Sequence, residues 1–146
     1  EEGILGREIE CSVLGNDDPQ ASLPGEIMPS REFYDYDDKY LDGKTEFSIP
    51  AGLPAPIIKE VQRLSIEAFR ACDCSGMARV DFFLQARPRK ILLSEINTIP
   101  GFTEISMYPK LWEVSGLLFP QLVDRLIELG FERHRSKKRC VDRDRS

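Results

Sequence analysis

Residues 76–110 read GMARVDFFLQARPRKILLSEINTIPGFTEISMYPK, and this stretch decides the fold of the chain. From Met77 to Leu84, apolar side chains occupy alternate positions, a spacing of two that is typical of a half-buried strand. Residues 86–90 can turn the chain, because Pro88 is unfavourable inside a strand ladder. Residues 91–97 then return as a second strand, whose predicted shared face holds Ile91, Leu93, Glu95 and Asn97.

The predicted hairpin places two acidic side chains opposite each other. A turn centred near Pro88 pairs Asp81 with Glu95 and Arg79 with Asn97. Because facing carboxylates repel, this pattern indicates a cation between them. Carboxylate and amide oxygens suit a hard ion such as Mg²⁺, whereas zinc prefers nitrogen and sulfur. The same side chains also fit the solvated face of a half-exposed hairpin, so on pattern alone both interpretations stay open.

Composition and charge narrow the class of protein. The chain has 146 residues, of which 41% are hydrophobic and 31% charged, enough for one domain with a core. The last fifteen residues carry seven basic and three acidic side chains, which leaves a net charge of −9 on residues 1–131. An acidic body disfavours nucleic acid as the main partner. The sequence contains neither a membrane span nor a signal peptide, so we expect no membrane partner and a cytoplasmic location.

Cysteine and histidine offer little for metal or acid–base chemistry. The four cysteines do not form the paired CxxC units of a zinc framework. The single histidine, His134, lies in the basic tail. That tail has almost no apolar residues with which to pack, so residues 132–146 are predicted to be disordered.

The remaining periodicities complete an α+β fold. We expect an antiparallel sheet of four to six strands with helices packed on one side. Segments 7–15 and 25–30 alternate as strands, and a long aromatic and acidic loop follows at 31–50. Apolar residues recur at helical spacing over 54–71 and 117–130.

Five motifs follow one another along the chain, namely EEGILGREIECSVLG at 1–15, FYDYDDKY at 33–40, RVDFF at 79–83, SEINTIPGFT at 94–103 and SMYPK at 106–110. Together they resemble D-alanine–D-alanine ligases of the ATP-grasp superfamily. Agreement of several motifs in one order is more specific than a single match. The resemblance implies an ATP-grasp carboxy-terminal lobe over residues 1–131, followed by the tail.

The resemblance also implies an activity. Ligases of this family join two D-alanines for peptidoglycan precursor synthesis, using ATP and Mg²⁺ through an acyl phosphate. Such chemistry depends on positioning and on charge stabilisation. Alternatives are another ATP-grasp carboxylate–amine ligase, a D-alanine–D-lactate ligase and a non-enzymatic nucleotide-binding module. Tyr40 favours an amine acceptor, because related lactate-using ligases tend to lack tyrosine at this loop position.

By motif position, the resemblance assigns the reaction chemistry. Two Mg²⁺ ions, for which Mn²⁺ can substitute, would bind to Asp81, Glu95 and Asn97. Arg79 and the backbone N–H of Gly101 would face the transferring phosphoryl group and the developing oxyanion. Ser106 and the amide of Met107 would bind the carboxylate of the second substrate.

The resemblance assigns the nucleotide contacts to earlier residues. Lys39 would contact phosphate, and Tyr40 would close the loop over the site. Glu8 would bind the ribose hydroxyls. The adenine would lie against Glu1, Glu2 and Ile4.

The chain is shorter than members of this family. They also carry amino-terminal and central domains, which contain the groups that bind the first D-alanine and cover the phosphates. We therefore expect a fragment that does not catalyse ligation alone, that binds nucleotide weakly, and whose full-length enzyme is a homodimer.

Overall fold

The computed structural model describes residues 3–28, 46–86 and 90–143. Its strands are β1 (Arg7–Gly15), β2 (Gln20–Ala21), β3 (Gly25–Met28), β4 (Glu46–Ser48), β5 (Gly76–Gln85) and β6 (Lys90–Asn97). Its helices are α1 (Ala55–Ala71), α2 (Met107–Val114) and α3 (Phe119–Arg143).

The described strands form one antiparallel sheet. Their order is β4–β3–β1–β5–β6, and the short strand β2 pairs with the far end of β1. At the centre, β1 and β5 run side by side from Arg7 opposite Leu84 to Gly15 opposite Gly76. The predicted hairpin is the β5–β6 edge of this sheet. The antiparallel α+β fold expected from the sequence is therefore confirmed.

One face of the sheet is apolar and is closed by α1. This helix starts at Ala55 with Pro56 in its first turn, where the missing N–H of proline costs nothing. It buries Val61 and Phe69 completely, and their spacing of eight places them on one stripe of the helix. The strand residues buried beneath it are Ile9, Cys11, Val13, Ala78, Val80, Phe82 and Leu84.

The opposite face is covered at one end by α2 and α3, which adds a second helical layer. The Tyr108 hydroxyl donates to the Val13 carbonyl at 2.9 Å. The Ser12 hydroxyl donates to the Tyr108 carbonyl at 3.3 Å, so α2 is fixed to β1 by two hydrogen bonds. The apolar cluster at this end contains Leu14, Tyr108, Trp112, Leu122 and Leu129. Charged side chains occupy the other end of the same face.

Helix α3 is longer than predicted. The sequence predicted a helix that ends at Gly130 and a disordered tail, but α3 continues to Arg143, so the predicted end is wrong and residues 132–143 are helical. A glycine inside a helix costs only about 1 kcal/mol. Arg125 donates to Glu132 at 2.9 Å across that glycine and supports the continuation. None of the helices in the described ranges combines the length and apolar composition needed to cross a membrane.

The loop predicted at 31–50 is described only at its end. Residues 29–45 lie outside the described residues. The strand predicted at 25–30 is β3, which begins at Gly25 as expected. β3 pairs with β4, so the chain returns to the sheet after this segment.

Candidate functional site

The β5–β6 hairpin carries the predicted acidic pair, but its register contains a bulge. Asp81 lies opposite Glu95, and Arg79 lies opposite Asn97, as the turn near Pro88 predicted. The next pair joins Phe82 to Leu93, so Ser94 is an extra residue in β6. An extra residue in one strand locally bends it and re-aims its side chains.

The bulge corrects the predicted face of β6. Residues paired across an antiparallel ladder share a face, so Leu93 lies on the side of Phe82 and Glu95 on the side of Asp81. The prediction that residues 91, 93, 95 and 97 share one face is therefore wrong. Ile91 packs against the apolar core, while Glu95 and Asn97 belong to the opposite face. One inserted residue reverses an alternation of period two.

Three carboxyl groups consequently lie in one row across the sheet. Glu10 of β1 pairs with Asp81 of β5, which pairs with Glu95 of β6. Adjacent strands lie about 4.8 Å apart, so this row concentrates acidic groups on one surface. We call this surface the polar face, defined by Glu8, Glu10, Arg79, Asp81, Glu95 and Asn97.

Arg79 lies in the next row and faces all three carboxyl groups. Its Nε and Nη2 atoms donate to the two oxygens of Asp81 at 2.8 and 2.7 Å. Its Nη2 atom lies 3.9 Å from Glu95 Oε1, and its Nε atom lies 3.3 Å from Glu10 Oε2. The hydrogen bond to Asp81 raises the pKa of Arg79 above its ordinary value. The guanidinium of Arg79 thus forms ion pairs with all three carboxyl groups.

Glu10 is the buried member of the row. The residue is 5% exposed, and its Oε2 atom has no hydrogen-bond partner among the described residues. Burial, reinforced by the neighbouring charge of Asp81, raises the pKa of Glu10 to about 7. Burying an ionised carboxylate without a full set of hydrogen-bond partners is unfavourable, so the ionised form of Glu10 lowers the stability of the fold.

A cavity of about 180 Å³ lies beside the row and is lined by Glu8, Glu10, Asp81, Ser94 and Glu95 with apolar neighbours. In the described part of the chain, no three His, Cys, Asp or Glu side chains converge as a preformed metal cluster. A hollow of about 240 Å³ near α3 contains none of the predicted site residues. The predicted metal ligands Asp81, Glu95 and Asn97 all lie on the β5–β6 hairpin, and β1 adds the carboxyl groups of Glu8 and Glu10 to the same polar face.

Asn97 begins the loop that leads away from the polar face. Its Oδ1 atom accepts the N–H of Ile99 at 3.1 Å, which fixes the side chain in a local turn. A carbonyl oxygen has two lone pairs, so one acceptor position remains.

Ser106 and Gly101 meet at the start of α2. Ser106 is the N-cap residue, as predicted, but its hydroxyl makes no cap bond to the described first turn. It lies against the preceding loop, where it accepts the Thr103 N–H at 3.0 Å and contacts Thr103 Oγ1 at 2.8 Å. A side chain on Gly101 would place its Cβ 3.1 Å from Ser106 Oγ, so glycine permits this approach. Met107, the first helical residue, is buried.

With this geometry in place, comparison with known proteins identifies the family. A family model described as D-ala D-ala ligase C-terminus matches residues 1–128. The chain belongs to this family. It is 59% identical, over 94% of its length, to the D-alanine–D-alanine ligase of Solibacter usitatus. The ATP-grasp carboxy-terminal lobe expected from the sequence is thereby confirmed.

Solved structures of the ligase family agree. The D-alanine–D-alanine ligase of Coxiella burnetii has a TM-score of 0.86 and 47% identity over the whole chain. The Bacillus anthracis ligase complexed with ATP has a TM-score of 0.76 and 31% identity over 94% of the chain. The chain spans 42% of the S. usitatus ligase, 39% of the C. burnetii structure and 43% of the B. anthracis structure.

The nucleotide contacts implied by the ligase resemblance are only partly described. Glu8 lines the cavity of the polar face and is exposed. Ile4 precedes β1 and is 37% exposed. Their predicted roles remain predictions. Four residues lie outside the described ranges, namely Glu1, Glu2, Lys39 and Tyr40.

The sequence interpretation of this ligase domain missed Glu10. The alternation of β1 already placed Glu10 on the same side as Glu8, away from Ile9 and Cys11. The signal was a carboxylate in the middle of a strand whose other residues pack on both sides. The role of Glu10 depends on Asp81, which lies opposite it on β5, and the sequence of β1 alone does not predict that pairing.

Proposed function

We propose that the chain is the carboxy-terminal domain of an ATP-dependent D-alanine–D-alanine ligase. The proposed reaction joins two D-alanines through an acyl phosphate for peptidoglycan precursor synthesis. The observation that carries this proposal is the polar face, where Arg79, Asp81, Glu95 and Asn97 occupy two adjacent rows of one bulged hairpin. A purely structural hairpin has no need for this set.

The residues of the polar face fit a divalent metal. Asp81 and Glu95 are in register, Asn97 keeps a free acceptor position, and the buried oxygen of Glu10 lacks a hydrogen-bond partner among the described residues. All are oxygen donors, the type that Mg²⁺ and Mn²⁺ prefer. We assign Asp81, Glu95 and Asn97 as the ligands of two Mg²⁺ ions. When bound, Mg²⁺ neutralises phosphate charge and orients the nucleotide.

Arg79 supplies the permanent positive charge of the reaction. Its guanidinium is half-buried on the polar face, beside the row of carboxyl groups, and Arg79 itself pairs with Asn97. A planar, always charged group suits the charge that develops on a transferring phosphoryl group and on a carbonyl oxygen. We assign the N–H of Gly101 to the same oxyanion, because glycine allows a substrate to come close.

The start of α2 is the proposed site for the second substrate. A helix N-terminus favours a carboxylate through its free amides and its dipole. Ser106, whose hydroxyl faces the loop at Thr103, and the amide of Met107 would hold the carboxylate of the second D-alanine. Pro109 has no N–H to offer, so the available donors are confined to the first residues of the turn.

ATP would lie against the strands that precede the hairpin. We assign Glu8 to the ribose hydroxyls and Glu1, Glu2 and Ile4 to the adenine, while Lys39 and Tyr40 would approach the phosphates from the loop. The cavity beside Glu8 and the exposed position of Ile4 support this arrangement. The choice between an amine acceptor and D-lactate rests on Tyr40.

The other lobes of the ligase complete the proposal. The chain corresponds to 42% of the S. usitatus relative, and it would act with amino-terminal and central domains that bind the first D-alanine and cover the phosphates. Alone, it is expected to bind nucleotide weakly and to form no dipeptide. We propose a homodimer for the full-length enzyme and, because cellular ATP is its substrate, a cytoplasmic location.

A chimera tests the ligase function. The chain would replace the carboxy-terminal part of the C. burnetii ligase, to which it is 47% identical. We expect phosphate release and dipeptide formation that require D-alanine, and a loss of roughly 100-fold in kcat on Asp81→Asn. Glu113→Gln, an exposed change on α2, is the matched control and should leave kcat unchanged. A folded chimera that binds ATP but forms no dipeptide would contradict the proposal, and D-lactate in place of D-alanine tests the acceptor.

A further inference from the structure

The buried carboxylate of Glu10 has no assigned role in the reaction. Among the described residues it is the one charged residue that is buried, and its Oε2 atom lies 3.3 Å from Arg79 Nε without a hydrogen bond to it. The Nε hydrogen instead points to Asp81 Oδ1 at 2.8 Å. Glu10 therefore stands next to a guanidinium that is held by another carboxylate.

We propose that Glu10 is a positioning residue that accepts the hydrogen bond of Arg79 Nε when Asp81 binds a divalent cation. This inference rests on the proposed function only in treating Asp81 as a metal ligand. Glu10 would hold the guanidinium of Arg79 on the polar face, beside the row of carboxyl groups, while Asp81 binds the cation.

The two oxygens of Asp81 are already engaged. Both are hydrogen-bonded to Arg79, one to Nε and the other to Nη2, in a paired arrangement. A cation that binds Asp81 competes with these bonds and repels the guanidinium. Arg79 is half-buried, so losing its partner without a replacement would leave a poorly solvated charge, which is strongly unfavourable.

Among the described carboxylates near Arg79, Glu10 is the one suited to replace Asp81. Glu95 is farther away at 3.9 Å, its side chain is 60% exposed, and it is itself a proposed metal ligand. The side chain of Glu10 is only 7% exposed and its distance to Nε is 3.3 Å, so a small reorientation of the guanidinium completes the bond. Charge-assisted bonds of this type are about twice as strong as neutral ones.

The surroundings of Glu10 leave Arg79 as its natural donor. The neighbouring hydroxyl on the same face of β1, Ser12, already donates to the Tyr108 carbonyl. The residue paired with Glu10 on β3 is Gly25, which has no side chain to offer. The carboxylate is thus built into the sheet beside Arg79, with its free oxygen directed at that group.

The test uses the chain without metal or nucleotide. Asp81→Asn removes the charge that holds Arg79 and imitates an Asp81 that is engaged elsewhere. Glu10→Gln and Arg79→Gln, made singly and together in the unaltered chain and in Asp81→Asn, give the coupling between Glu10 and Arg79 from urea unfolding in EDTA. We expect the coupling to change the unfolding equilibrium constant by less than about 3-fold in the unaltered chain and by roughly 10-fold or more in Asp81→Asn.

A spectroscopic signature separates positioning from general stability. The ¹⁵N signal of the Arg79 Nε–H group, assigned by its loss in Arg79→Lys, reports whether this hydrogen is bonded. We expect a protected signal in Asp81→Asn and its loss in Asp81→Asn/Glu10→Gln. This comparison also decides the matter if the Arg79→Gln variants do not fold, because it needs only the Arg79→Lys variant for assignment.

Two results would overturn the proposal. One is a Glu10–Arg79 coupling in Asp81→Asn that is no larger than in the unaltered chain. The other is an Nε–H signal in Asp81→Asn that does not depend on Glu10. Because no metal, nucleotide or D-alanine enters this test, its failure is distinguishable from a failure of the ligase chimera.

Discussion

The two faces of the central sheet are made from the same strands but differ in what completes them. On the apolar face, Val80 and Phe69 are fully buried, and α1 closes the layer without help from outside the chain. On the polar face, the same strands present Glu10 and Asp81, with Arg79 as the nearby cation. One face is complete in the chain itself, whereas the other is short of positive charge.

This difference separates stability from function. Burial of apolar surface contributes roughly 25 cal/mol per Å², so the apolar face accounts for folding. Three carboxyl groups around one guanidinium weaken the fold unless a further cation arrives. A sheet selected for stability alone would have an apolar or neutral residue at Glu10. The acidic row fits the binding surface proposed for metal and nucleotide, and the apolar face supports that row.

The largest expected effect comes from opening the apolar face. Phe69→Ala should lower the free energy of unfolding by about 3–5 kcal/mol, because it leaves a cavity under α1. Urea unfolding followed by the fluorescence of Trp112, the only tryptophan, measures this. Phe69→Leu, which fills more of the volume, is the control and should lose less. A loss below about 1 kcal/mol on Phe69→Ala would mean that α1 does not close the sheet.

An intermediate effect of opposite sign is expected on the polar face. Burial raises the pKa of Glu10 from 4.5 to about 7, so the folded chain holds this proton more tightly than the unfolded chain. The stabilisation from the protonated form is complete below pH 4.5 and is lost as the pH rises through 7. In EDTA at pH 8, Glu10→Gln should therefore stabilise the chain by about 1–3 kcal/mol, and by much less at pH 4.5.

Urea unfolding at both pH values tests this, with Glu104→Gln as the control on an exposed loop. Glu10→Gln that destabilises the metal-free chain equally at both pH values would show that the polar face is not short of positive charge.

A small effect is expected for an ion pair that is already satisfied. Arg7 on β1 donates to both oxygens of Glu26 on β3 at 2.6 Å, and the side chains are 42% and 13% exposed. The hydrogen bond from Arg7 lowers the pKa of Glu26, so this pair stabilises the fold at neutral pH and is lost as the pH falls through the lowered value. Arg7→Gln should cost about 0.5–1 kcal/mol at pH 7 and nothing at pH 2.

The pH dependence thus has the opposite sign to that of Glu10. Unfolding of Arg7→Gln and of the control Arg70→Gln, on the exposed surface of α1, measures it. An effect that grows on acidification would contradict this assignment.

Much of the fold was predictable because local patterns determine it. The alternation in β5 fixes which residues are buried, and Pro88 limits where the turn can lie. The predicted pairing of Asp81 with Glu95 is confirmed, but it depends on the extra residue Ser94, because Phe82 lies opposite Leu93. The apolar stripe of α1 was equally predictable, since its apolar residues recur at helical spacing. These features depend on neighbours along the chain.

What was not predictable depends on neighbours in space. The bulge at Ser94 arises because β6 must turn Ile91 to the core and Glu95 to the opposite face. The burial of Glu10 follows from its place on a central strand of the sheet. The continuation of α3 past Gly130 is supported by the pairing of Arg125 with Glu132, a contact that periodicity does not reveal. The roles of Lys39 and Tyr40 stay predictions, because both residues lie outside the described ranges.

Isothermal titration of ATP into this chain, with and without Mg²⁺, tests most directly whether the polar face binds metal and nucleotide. The unaltered chain should bind nucleotide at millimolar concentration only when Mg²⁺ is present. Asp81→Asn/Glu95→Gln should weaken that binding by roughly 10-fold or more, because it removes both carboxylate ligands. Glu104→Gln/Glu113→Gln removes two exposed carboxylates elsewhere and should change nothing. If the Asp81→Asn/Glu95→Gln chain binds ATP as tightly as the unaltered chain in Mg²⁺, the polar face is not the metal and nucleotide surface.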